Sequence, residues 1–92
     1  MVLVVIKNNV NNQEPYLALA RQFAADARCD AGCLGMEVVV QPEDKHHVTF
    51  VSHWEAKSDF EAHCEGRTFA KHIPLMAPYY EGGVDSIYEV VG

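Results

Sequence analysis

The sequence is short of positive charge. Seven Lys and Arg stand against 13 Asp and Glu, a formal net charge of −6. The cations are scattered, at Lys7, Arg21, Arg28, Lys45, Lys57, Arg67 and Lys71. A phosphate-binding surface needs them clustered. Nucleic-acid binding is therefore not expected, and neither is docking on an anionic membrane. No apolar run approaches the roughly 18–20 residues of a membrane-spanning helix. Met1 to Ile6 is apolar but short, without a basic flank or a small-residue cleavage site, and reads as a strand rather than a leader. No Gly-rich strand-to-helix turn is available to cradle phosphate, because Gly32 and Gly35 flank Cys33 at the start of a strand. The three cysteines, Cys29, Cys33 and Cys64, are an odd number, which suits reduced thiols in a cytoplasmic protein better than a disulfide framework. Metal-ligand spacing is also missing. His46 and His47 are neighbours on a strand and point to opposite faces; His63 and Cys64 diverge by about 100° around a helix. Neither a metal nor another cofactor is expected.

What the chain has is apolar surface, 49% of its 92 residues. That length suits a single domain, residues 1–92, with one modest core. So much apolar surface on so small a domain suggests that part is shared with a second copy.

Periodicity divides the chain. Val2 to Lys7 is β-branched and reads as a buried strand, with a turn expected at Asn8, Asn9, Asn11 and Asn12. Asn12 suits an N-cap, with Glu14 and Pro15 in the first helical turn. Tyr16, Leu17, Ala20, Phe23, Ala24 and Ala27 recur at helical spacing up to about Arg28. Cys33 to Gln41 reads as a second strand, with Leu34, Met36, Val38 and Val40 on one face. A polar turn at 42–45 leads to a third, His46 to Glu55, whose Val48, Phe50, Ser52 and Trp54 share one face. The short turn makes these two an antiparallel hairpin. Ser58 and Glu61 have the spacing of a capping box opening a second helix. Gly66 interrupts that helix, and a stripe of Phe69, His72 and Ile73 follows until Pro74 kinks or ends it. A loop is expected at Pro78, Gly82 and Gly83, then a last strand from Val84 to Val91.

The order is β-α-β-β-α-β, the ferredoxin-like arrangement: an α+β domain whose four-stranded antiparallel sheet carries its helices on one face. Its strands are apolar on both sides, so the bare face is expected to meet the same face of a second subunit.

Gly32-Cys33 entering the second strand, Trp54-Glu55 closing the third, and the run Ser58 to His63 followed by Phe69 and Pro74 form a more specific pattern. The string GCLGMEVVVQ…FVSHWEAKSDFEAHCEGRTFAKHIP resembles the antibiotic-biosynthesis-monooxygenase family. The resemblance implies a homodimeric α/β barrel with a pocket between helices and sheet. Some members oxygenate aromatic quinols or anthrones with O2 and no metal or flavin; others degrade haem, and another relative processes a phosphorylated sugar. Trp54 matches the family tryptophan and His63 the helix histidine. Phe69 matches the aromatic of an H-F pair whose histidine is here Thr68. Ser52 replaces an acid two residues before the tryptophan. The haem-degrading branch uses a histidine one residue beyond the position of His72, and an asparagine on the first strand. Asn8 falls in the expected turn, so haem degradation is not expected.

A cofactor-independent oxygenase needs a base near neutral pH, a donor for the developing oxyanion and a dry pocket. His63 is the candidate base and Trp54 its candidate catalytic partner and pocket wall. Phe50, Ser52, Phe60, Phe69, His72 and Tyr79 are the candidate substrate-binding residues. The expected activity is monooxygenation of a small aromatic, quinol-like molecule. The alternative on the same scaffold is a non-oxidative isomerase or a small-molecule-binding protein. A roomy apolar pocket favours the first and a polar one a sugar-like ligand.

Overall fold

The computed structural model describes residues Met1 to Gly92. The strands are β1 (Val2–Val10), β2 (Cys33–Val39), β3 (His47–Trp54) and β4 (Tyr80–Glu89); the helices are α1 (Gln13–Ala27), α2 (Lys57–Cys64) and α3 (Arg67–Met76). A 3-10 turn, Ala77–Tyr79, joins α3 to β4. The sheet runs β2-β3-β1-β4 with every neighbouring pair antiparallel. The four-stranded ferredoxin-like sheet is as expected, with the second helix divided in two at Gly66.

The expected alternation on β3 holds. Val48, Phe50, Ser52 and Trp54 are buried under the helices, and the residues between them are half-buried on the opposite face. Val2, Val4, Asn8 and Val10 of β1 join them. The stripe of Tyr16, Ala20, Phe23, Ala24 and Ala27 on α1 closes over this surface to form one core. Small alanines let α1 approach the sheet, while Phe23 fills the gap that α2 and α3 leave. Two side chains fasten α1 to the hairpin: Arg28 Nε donates to Met36 O at 3.0 Å, and Gln13 Nε2 donates to Asp44 O and His47 O at 2.8 and 2.9 Å.

Several local expectations are corrected or narrowed. β1 runs on through Asn8 and Asn9, because both sit between two partners, Val48 and His47 on β3 and Gly83 and Gly82 on β4. Ladders on both sides outweigh the turn preference of Asn. In β2 the register shifts between Cys33 and Gly35, so Leu34 is the extra residue of a bulge and lies 52% exposed instead of facing the core with Met36. The expected capping box is absent: Ala56 holds the N-cap position of α2, which places Ser58 inside the first turn, and no side chain caps the helix. Asn12 likewise occupies the N-cap of α1 without a side-chain bond. Of the two outcomes expected at Pro74, a kink or an end, the helix does not end there: Pro74 lies within α3, which continues to Met76. Finally, Gly82 and Gly83 belong to β4, not to a loop.

Helices cover β2, β3 and β1. Strand β4 is an edge strand that packs closely on β1 alone. The far face of the sheet carries Leu3 and Val5 of β1, Val51 of β3, Val39 of β2 and Val84 and Tyr88 of β4, with no element over it. No helix is long and apolar enough to cross a membrane.

Candidate active site

The sheet supplies a floor and the helices a roof for a cavity of about 260 Å³. Ile6, Met36 and Phe50 line it from below; Phe23, Phe60, Phe69, Ile73 and Met76 line it from above. Its polar wall groups are few: Asn8, Tyr16, Ser52, His63, Tyr80 and Asp85. No Lys or Arg reaches it.

His63 is held from two sides. Its ring lies 4.7 Å from the Trp54 ring and 5.0 Å from Phe69, centroid to centroid, and its side chain is 1% exposed. Its Nδ1 meets Asp30 Oδ2 at 2.5 Å. Thr68 Oγ1 donates to the other carboxylate oxygen at 2.8 Å. A carboxylate only accepts, so Nδ1 carries the shared proton, and in the neutral tautomer of the ring Nε2 is the nitrogen without one. That nitrogen has no protein partner, yet no sealed side-chain nitrogen or oxygen is left unsatisfied. Nε2 therefore reaches the cavity that His63 lines.

Asp30 owes its place to the turn after α1. Gly32 has φ +81°, and Glu55 N donates to Gly32 O at 2.9 Å, which ties the turn to the end of β3. A Cβ at Gly32 would run into the side chain of Asp59, so only glycine lets the turn lie against α2.

The two positions that depart from the family pattern have other partners here. Thr68 orients Asp30. Ser52 Oγ accepts from Trp54 Nε1 at 2.9 Å.

Of the residues singled out from sequence, Phe50, Ser52, Phe60, His63 and Phe69 line the cavity. Trp54, His72 and Tyr79 do not. Trp54 is fully buried behind His63, its indole nitrogen taken by Ser52, because the last inward position of β3 lies under α2 rather than under the opening. His72 is buried against α1, where its ring meets Phe23 edge-on and its Nε2 lies 2.5 Å from Asp26 Oδ2. The 3-10 turn directs Tyr80, not Tyr79, to the cavity.

Sequence reasoning missed Asp30, Tyr16 and Asp85, and it set Asn8 aside as a turn residue; Asn8 instead stands on β1 and in the cavity wall, so the position of Asn8 no longer counts against haem degradation. Asn8 Nδ2 donates to Tyr16 Oη at 3.0 Å inside the core. Burial pushes the Tyr16 hydroxyl above its ordinary pKa of 10.0; the Asn8 bond opposes this and the nearby Tyr80 adds to it. Burial also raises the Cys64 thiol, with Asp85, Glu61 and Glu65 contributing.

Solved structures repeat this fold. An antibiotic biosynthesis monooxygenase aligns over 100% of both chains at TM-score 0.88 and 21% identity. A protein from Shewanella oneidensis aligns at TM-score 0.82 and 22% identity, over 95% of this chain and 87% of its own. SnoaB, a cofactor-independent oxygenase from Streptomyces nogalater, aligns at TM-score 0.88 and 11% identity, over 99% of this chain and 93% of its own. A search of curated proteins finds no match. The family model for antibiotic biosynthesis monooxygenases matches residues 1–74, so the chain belongs to that family.

Proposed function

We propose that the protein is a cofactor-independent monooxygenase of a small, uncharged aromatic quinol. The observation that carries this reading is the Asp30–His63 pair, whose bond at Nδ1 leaves Nε2 to serve as the base toward an apolar cavity. His63 takes the proton of a phenolic hydroxyl, and the resulting aryl oxide is electron-rich enough to reduce O2. The balance closes on the substrate alone: a quinol and O2 give a hydroxyquinone and water. Asp30 holds the imidazole in the right tautomer and steadies the imidazolium as it forms. The apolar walls keep water from the charged intermediate.

The cavity lies between one that holds benzene, about 150 Å³, and the drug-sized pockets of about 300 Å³ and above. One or two fused rings fit. The absence of Lys and Arg, and the Asp85 carboxylate on the wall, speak against a phosphorylated sugar and so against the non-oxidative alternative.

A second copy of the chain is proposed to cover the far sheet face around Val5, Val51, Val84 and Tyr88. Sedimentation at micromolar concentration should give twice the 10.3 kDa chain mass. Three free thiols support a cytoplasmic setting.

The test of the activity is O2 uptake in metal-free buffer with a panel of mono- and bicyclic quinols. Uptake that His63→Ala abolishes without unfolding the chain supports the reading. Equal uptake by wild type and His63→Ala on every responsive quinol sinks it.

A further inference from the structure

We propose that Tyr16 and Asn8 form a second polar anchor opposite His63, so that the cavity selects a ring bearing oxygen at two para positions. The inference rests on the quinol reading above and names the group that recognises the second oxygen.

Four observations carry it. First, both residues are buried and both line the cavity, although a buried polar pair in an apolar core is costly unless it is fully used. Second, the pair is only half used. Tyr16 Oη accepts from Asn8, but its own proton meets no protein acceptor. That proton is left for something inside the cavity. Third, the fold makes room for the pair. Gly83 faces Asn8 across the β1–β4 ladder, and a Cβ there would collide with Asn8 Oδ1 and come within 2.9 Å of Lys7 O. A glycine inside a strand weakens it, so its presence here reflects the close approach. Fourth, the register separates the two anchors. Asn8 pairs with Val48, whereas Ser52, on the His63 side, pairs with Val4. Four residues of strand span roughly 13 Å. A para-dioxygenated ring with a hydrogen bond of about 2.8 Å at each end fits a span of that order.

Asp85 pairs with Ile6, midway along this span. A carboxylate or phosphate on the ligand would meet it without a compensating cation. The pair thus recognises neutral oxygens, with Tyr16 protonated throughout the neutral range because burial disfavours its ionised form.

The experiment is anaerobic calorimetry on the intact chain with 1,4-naphthalenediol and with 1-naphthol, which lacks the second oxygen. Wild type should bind the diol about tenfold more tightly, the worth of one neutral hydrogen bond. Tyr16→Phe should lose that preference while holding 1-naphthol as before. No preference in wild type, or an undiminished one in Tyr16→Phe, overturns the proposal. If Tyr16→Phe does not fold, the side-chain amide signal of Asn8 in wild type decides: it should shift with the diol and stay still with 1-naphthol, and the reverse refutes the anchor. Oxygen uptake on the same diol separates this inference from the activity. Turnover without preference removes the anchor and leaves the oxygenase; preference without turnover keeps the anchor and removes the oxygenase.

Discussion

Asp30 and His63 are 33 residues apart in the chain, yet Oδ2 of one lies 2.5 Å from Nδ1 of the other. The first sits in a turn after a helix and the second near the end of another helix. Thr68, on a third helix, completes the arrangement by donating to the free carboxylate oxygen. A histidine already fixed by two aromatic rings needs no carboxylate for its packing. The pairing instead sets which ring nitrogen faces the cavity.

Asp30→Ala should therefore leave the fold intact and lower kcat by about 10²-fold, the lower end of what a positioned base contributes. KM should change little, because Asp30 does not line the cavity. Steady-state kinetics on the best quinol, alongside circular dichroism, checks this. A rise in KM at constant kcat would assign Asp30 to binding instead.

Trp54 should prove structural. Trp54→Ala removes a fully buried indole and should cost about 3–5 kcal/mol in urea unfolding. Trp54→Phe keeps most of the packing but strips Ser52 of its donor, for a loss of about 1–2 kcal/mol. Its turnover should stay near wild type, which a tryptophan acting on the substrate would not allow.

At high pH the buried tyrosine works against the fold. Tyr16 ionises above 10.0 when folded and near 10.0 when unfolded. Between those values the folded chain keeps a proton that the unfolded chain loses, so stability falls as pH rises past 10. Titration of tyrosinate absorbance should resolve one late phase, and Tyr16→Phe should remove it.

At low pH the Asp26–His72 pair behaves in the opposite sense. Asp26 accepts from His72 at 2.5 Å and from Lys71 at 3.1 Å, and chiefly the first bond holds its carboxyl below 3.8. Its contribution is complete above pH 3.8 and vanishes as pH falls through the folded value. Carboxyl NMR should find Asp26 titrating below 3.8, and closer to that value in His72→Gln.

The thiols should separate by burial. Cys29 is exposed, whereas burial raises Cys33 and Cys64 above 9.0. Iodoacetamide at pH 8 should modify Cys29 first, and peptide mapping after short exposure will tell. Modification of Cys64 as fast as Cys29 would contradict its half-buried place at the end of α2.

Alternation made β3 legible, and helical spacing made the core stripe of α1 legible, because each depends only on neighbours in sequence. Where the sequence misled, a distant partner decided. Asn8 and Asn9 carry turn chemistry, but strands on both sides claim them. Ser58 and Glu61 have the spacing of a cap, but the chain enters the helix two residues too early, at Lys57. His63 was readable from its face of the helix. Asp30 was not, because nothing in local spacing ties an acid in a turn to a histidine 33 residues on. The turn glycine after it, Gly32, was the one available signal, and it spoke for geometry rather than for chemistry.

Strand β4 carries Asp85 and Tyr80, two of the cavity's polar walls, and packs closely on β1 alone. Opening that wall breaks edge-ladder hydrogen bonds but disturbs little of the helix packing. Such edge fraying lies at the cheap end of a protein's local unfolding. The residence time of a bound molecule would then be governed by how firmly the backbone of β4 zips to β1, and not by the helices that form the roof. A second chain clamped over the far face of the sheet would hold that zipper shut. Assembly and ligand release would in that way share one rate.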